Sequence, residues 1–126
     1  MSVSVSVDER GLAWFLVRVK GVKGSAVFRA VVDTGATFCL LSDVECVNLG
    51  LLRKGRERVT LMTVKGETSL PLFVAPLMKV ENTSLVRENV EVVARAVTGF
   101  PAILGMSFMR HFDWSFSKEK QEFTIF

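Results

Sequence analysis

Val31-Val32-Asp33-Thr34-Gly35-Ala36-Thr37 is the stretch on which the reading of this chain turns. Two β-branched apolar residues end on an acid, and a hydroxyl and a glycine follow at once. That pattern predicts a buried strand delivering one carboxylate into a tight turn. At ordinary residue frequencies an Asp-Thr-Gly arises by chance in a chain this long roughly 2% of the time. The apolar run before it and the small Ala36 after it lower the chance further. Thr34 is expected to lock the turn by a side-chain hydrogen bond, and Gly35 to let backbone approach closely. The plainer reading is a turn-former whose carboxylate caps backbone amides.

Chemistry gives such an acid a use only in company. Two carboxylates held close together cannot both ionise, so they share a proton over a wide pH range. The charged one can deprotonate a water while the protonated one donates to a carbonyl, with no metal, cofactor or covalent intermediate. The chain has one such Asp. Its other aspartates stand in Asp8-Glu9-Arg10, Asp43-Val44-Glu45 and Asp113-Trp114-Ser115, among the wrong neighbours. If Asp33 is half of a dyad, the other half comes from a second copy.

Composition bounds the rest. At 126 residues, 49% of them apolar, the expectation is one domain, residues 1–126, with a modest core. The net charge of +3 is scattered. Its densest cluster, Arg53-Lys54-Gly55-Arg56-Glu57-Arg58, is diluted by Glu57 and reads as a solvated loop rather than a nucleic-acid patch. The N-terminus alternates polar and apolar without the apolar core of a signal peptide, and no apolar run approaches membrane-spanning length. A cytoplasmic chain with no nucleic-acid or membrane partner is expected. Cys39 and Cys46 lack metal-ligand spacing and read as reduced core thiols, with a disulfide as the alternative.

Taken in order, residues 3–7, 12–19 and 25–32 read as strands, the last two joined by a Gly-containing turn and the third ending on Asp33. Phe38 to Leu41 is a short buried strand. Ser42-Asp43-Val44-Glu45 fits a capping box, and Gly50 a C-terminal stop, for a short helix over 43–49. Residues 58–64 and 68–75 form a hairpin about Val64-Lys65-Gly66-Glu67, either a surface turn or a lid over a cleft. Pro71 and Pro76 suit edge positions there. Residues 77–80 and 89–94 are further strands, separated by a polar stretch from Glu81 to Glu88. Residues 97–104 lead into Ile103-Leu104-Gly105, with helical spacing from Met106 to Phe112. Residues 114–116 and 122–126 close the chain as strands, and the apolar end is either tucked into its own sheet or paired with a partner's. Lone His111 reads as a partly buried helix residue. The fold class is mainly β with two short helices.

Asp33-Thr34-Gly35-Ala36, the lone central hairpin, and Ile103-Leu104-Gly105 before a short helix together resemble the retropepsin-like (retroviral-type) aspartic proteases. The small prokaryotic members are most similar, continuing much like Gly105-Met106-Ser107-Phe108-Met109. The resemblance runs over nearly the whole chain. It implies a closed β-barrel acting as a homodimeric aspartic endopeptidase, with a dyad of Asp33 from each subunit and a peptide or protein as substrate. Thr34 would bridge the two turns and Gly35 would offer its backbone to substrate. Ile103, Leu104 and Gly105 would support the turn from behind. Residues 60–70 would be the flap, with Ala36 and the tip residues Val64, Lys65, Gly66 and Glu67 contacting substrate. The terminal strands would interleave between subunits. A non-proteolytic dimer that binds peptides or serves assembly is the alternative; an inactive monomer is remoter. The chain departs from the viral pattern at Thr37 and Met106, where an acid and an Arg are usual, so the ion pair bracing the viral dimer is missing.

Overall fold

A computed structural model describes residues 2–96 and 101–126. Strands β2 (Trp14–Lys20), β3 (Ser25–Val32), β4 (Cys39–Ser42), β6 (Gly66–Val80), β7 (Val86–Arg95) and β8 (Ala102–Leu104) are the barrel staves. They pair in the order β2-β3-β8-β4-β7-β6, and β6 returns to β2 through Val17↔Val80 to Lys20↔Leu77. The ring is therefore closed, which removes the exposed edges an open sheet of this size would carry. Strand β5 (Leu52–Thr63) pairs only with β6 and projects as one arm of a hairpin. Strands β1 (Val3–Ser6), β9 (Trp114–Ser117) and β10 (Glu122–Ile125) form a separate sheet in the order β1-β10-β9.

Alternation explains why these segments are staves. In β2, Phe15, Val17 and Val19 are buried while Leu16 and Lys20 face out. The inward residues meet Ala75, Met78, Val90, Val92, Leu104 and Phe108 in one core, which Ile125, Val3, Val5 and Phe123 of the smaller sheet extend. Phe15 and Phe123 meet edge to face at 6.3 Å, joining the two layers. A second, smaller cluster of Leu40, Leu72 and Val93 lies under the hairpin, with Phe38, Val59, Leu61, Leu70 and Ile103 packed on it.

Helix α1 (Asp43–Leu49) is capped as the sequence predicts. Ser42 Oγ accepts from Glu45 N at 3.2 Å, and Gly50 closes the end in the left-handed region at φ 71°. The β2–β3 turn packs on that end, its Val22 and Lys23 amides donating to Gly50 O and Leu49 O. Cys39 and Cys46 are buried free thiols.

Several boundaries differ from expectation. The Arg53–Arg58 cluster belongs to β5, but as a large bulge: Arg53 faces Phe73 and Arg58 faces Pro71, so residues 54–57 stand opposite Leu72 alone. Arg53 Nη1 fills the gap by donating to Glu57 O at 2.7 Å and Leu72 O at 2.9 Å. Solvation of the cluster was legible and its place inside a strand was not. The two strands predicted at 68–75 and 77–80 are one fifteen-residue strand. Pro71 does sit at an edge position, paired with Arg58 of β5 and just short of the β7 ladder that begins at Leu72, although β6 as a whole is not an edge strand. Pro76 has no partner in the register of either neighbour, and β6 leaves β5 at Val74 and joins β2 at Leu77 on either side of it. A residue without an N–H costs nothing at such a gap.

The Glu81–Glu88 linker is shorter than predicted, because Thr83 Oγ1 donates to Val80 O at 2.7 Å and accepts from Leu85 N, tightening the turn. Helix α2 (Met106–Met109) is brief, and single-turn bonds carry the chain on to Phe112. The first part of the predicted 97–104 run, residues 97–100, lies outside the described residues. Strand β10 is the middle of its sheet, so the apolar end is tucked in, with Ile125 fully buried.

Candidate active site

Strand β3 runs parallel to β8, with Val31 opposite Ile103 and Val32 opposite Leu104. The ladder continues one residue further, where Asp33 N donates to Leu104 O at 3.1 Å. Asp33 thus leaves the sheet at a fixed point. Its Oδ1 accepts from Gly35 N at 2.9 Å, and Ala36 N donates to Asp33 O at 3.1 Å, which closes the turn. Asp33, Thr34 and Gly35 are all exposed. The carboxylate rather than Thr34 locks the turn; the Thr34 hydroxyl makes no hydrogen bond among the described residues. A Cβ on Gly35 would sit 3.2 Å from Asp33 Oδ1, a crowded approach to the very atom the turn presents.

Behind the turn, Gly105 follows β8 where the 36–38 backbone crosses it. A Cβ there would overlap the Phe38 carbonyl and come within 2.9 Å of Ala36 O. Only glycine permits this approach. Met106 N then donates to Ala36 O at 2.8 Å, so α2 is bonded to the far end of the turn. Ile103, Leu104 and Gly105 thereby stand beside the Asp33 turn. Ser107, which the sequence reading passed over, ties the same region inward. Its Oγ accepts from Cys39 N at 2.9 Å and donates to Glu91 O at 2.7 Å, linking α2 to β4 and β7. It is the buried polar residue among the described core. No local pattern marks it; only the fold brings Cys39 and Glu91 to it.

Between the turn and the hairpin lies a cleft of about 600 Å³, within the usual range for ligand sites. Gly35, Ala36 and Thr37 form one side, the hairpin arms contribute Thr60, Leu61, Met62, Thr68 and Leu70, and the floor is the small cluster through Phe38, Leu40 and Ile103. Asp33 stands at the turn's near end, just outside the lining. Of the proposed substrate contacts, Ala36 lines the cleft. Val64, Lys65, Gly66 and Glu67 sit at the exposed hairpin tip, and it is the arms that line the cleft in a single chain. Arg95 and Ala96, at the end of β7, complete the wall. No local pattern announces Arg95, whose place follows from the parallel pairing of Ser42 with Arg95. His111 is exposed in a separate hollow with Leu77 and Arg87, not partly buried as predicted. Among the described residues no cluster of side chains has the makings of a metal site.

A closed six-stranded barrel with an Asp-Thr-Gly turn seated on a strand and glycine, beneath a projecting hairpin, defines the retropepsin-like class. The chain belongs to the family described as "gag-polyprotein putative aspartyl protease", whose profile matches residues 19–111. Among solved structures it is similar to a retropepsin-like aspartic protease from Rickettsia conorii, at 17% identity and a TM-score of 0.75, covering 99% of this chain and 89% of that one. At that identity the likeness is one of fold. A Legionella pneumophila protein of unknown function matches more distantly, at 16% identity and a TM-score of 0.41, over 77% of this chain and 84% of that one. No curated protein matches the sequence. No helix among the described residues is long and apolar enough to cross a membrane.

Proposed function

We propose that the chain is a homodimeric aspartic endopeptidase acting in the cytoplasm, with Asp33 of two copies as the catalytic dyad. The observation that carries this is the Asp33 turn: an exposed carboxylate that accepts from Gly35 N, on a residue whose own amide donates to Leu104 O, at the mouth of a hairpin-covered cleft. Among the described residues no second acid is bonded to Asp33, so a shared proton requires a second subunit. The ionised member of the pair takes a proton from water while its protonated partner donates to the scissile carbonyl. Substrate lies as an added strand between hairpin and turn, with Gly35 offering backbone and Ala36 and the hairpin residues 64–67 contacting it. Thr34, itself exposed, bridges to the other copy.

The test is Asp33→Asn. Cleavage of an unstructured protein substrate falls by roughly 10³-fold or more, while the sedimenting mass stays that of a dimer. Equal peptide binding by both proteins, with cleavage by neither between about pH 3 and 7, would instead mark a peptide-binding or assembly module. A monomer at every concentration ends the dyad.

A further inference from the structure

The cleft has an uneven chemistry. Its floor and hairpin side are apolar, through Phe38, Leu40, Leu61, Leu70 and Ile103, and three threonines supply neutral hydroxyls. Among the described lining residues Arg95 alone carries a charge. It stands in the wall by construction. Along β7 side chains alternate, so Arg95 shares the face of Val93, and Val93 is fully buried in the cluster beneath the cleft. The parallel pairing Cys39↔Val92 to Ser42↔Arg95 fixes that phase. Arg95 itself is half-buried.

The guanidinium of a half-buried residue beside an apolar wall is a selective neighbour. Fewer waters compete there, and a charge-assisted, two-point bond to a carboxylate is stronger than in bulk solvent. With five N–H donors the group can hold a neighbour in its own chain and still offer a pair to a ligand. A lysine or arginine side chain brought to the same wall meets like charge.

We infer that Arg95 is a specificity-determining residue that makes the cleft select peptides carrying a glutamate or aspartate at the subsite it borders. The inference rests on the cleft being the peptide site proposed above. Two-fold pairing of chains would present one Arg95 on each side of the scissile bond, so the acidic preference recurs at two positions flanking it.

The experiment uses the full chain and a peptide that it cleaves. A single residue is varied among Glu, Gln and Lys at each position in turn, and kcat/KM is compared within each protein. At the bordering positions the wild type prefers Glu to Gln by roughly tenfold, the size of one modest charge-assisted bond, and disfavours Lys. In Arg95→Gln the Glu/Gln ratio falls to near one, and in Arg95→Glu the order turns to favour Lys. Arg95→Lys keeps part of the preference and serves as the folded control, and because each ratio is internal, lower overall activity does not blur it. A flat wild-type profile, or a ratio unchanged in Arg95→Gln, overturns the inference. If no peptide is cleaved, the proteolytic reading fails by itself. Binding of the same peptides by fluorescence anisotropy then decides this one: Arg95-dependent preference for Glu upholds it, and equal binding of Glu and Gln peptides refutes it.

Discussion

Gly105 and Ser107 show what single positions contribute behind the turn. A methyl group at 105 meets backbone, which has nowhere flexible to retreat. Gly105→Ala is expected to cost about 1–3 kcal/mol in urea unfolding and to displace the turn, lowering activity as well. Gly35→Ala behaves differently: its methyl presses on Asp33 Oδ1 and little else, so activity falls further than the melting temperature does. Ser107→Ala strands the buried Cys39 amide and is expected to cost about 1–3 kcal/mol, read by the same urea titration. Asp33 was legible in the sequence because its turn is made with its immediate neighbours. Gly105 was reached only through the family resemblance, since the backbone it must clear, at residues 36–38, is far away in sequence. Ser107 and Arg95 were not legible, since their partners likewise arrive from strands far away in sequence.

A titrating residue belongs to the same scale. Asp8 accepts from Trp14 Nε1 and from the Leu12 and Arg10 amides, and these bonds, the Trp14 one first, hold its pKa below the usual value. A lowered folded pKa means stability that is present above the unfolded value and is lost as pH falls through the folded one. Asp8→Asn therefore flattens the acid end of the stability profile, measured as urea midpoints from about pH 2 to 6. A mutant whose acid limb is as steep as the wild type's contradicts this.

Among elements, the β5–β6 hairpin repays comparison with β7. Strand β5 has one neighbour and is mostly exposed, with Met62 at 76% and Val64 fully exposed near the tip. Strand β7 has two neighbours and buries Val90, Val92, Val93 and Ala94. Amides of β5 beyond the bulge are expected to exchange with deuterium well before those of β7 in native protein, followed by mass spectrometry. The hairpin's existence could be read from its turn residues. The length of its arms could not, because prolines that look like breaks occupy places where the ladder asks for no donor. Helix α1 was fully legible, since its cap and stop are local chemistry. Its Cys46 thiol, pushed up to about 12 mainly by burial and then by Asp43 and Glu45, is expected to resist alkylation at about pH 8 until the protein unfolds.

At the scale of the molecule, barrel closure through β2–β6 and the seating of β10 between β1 and β9 were beyond local reading, for both depend on which distant strands meet. The tucked C-terminus changes what a terminal mutation should do. Ile125→Ala removes a fully buried side chain from the chain's own core and is expected to cost about 2–5 kcal/mol, independent of protein concentration. A loss that grew on dilution would place the strand between subunits instead. With both flanks of β10 occupied, the outer edges of β1 and β9 and the exposed Phe116 and Phe126 are what this sheet leaves open to another chain.

Strand β6 carries the hairpin on its first half and the barrel seam on its second, as one continuous strand through the unpaired Pro76. The hairpin is thus a cantilever whose root is a stave. Raising it must flex a girder rather than swing a gate, and anything gripped beneath it stiffens the wall it springs from. A tightly held ligand should therefore raise the melting point of the entire barrel, at staves that never touch it.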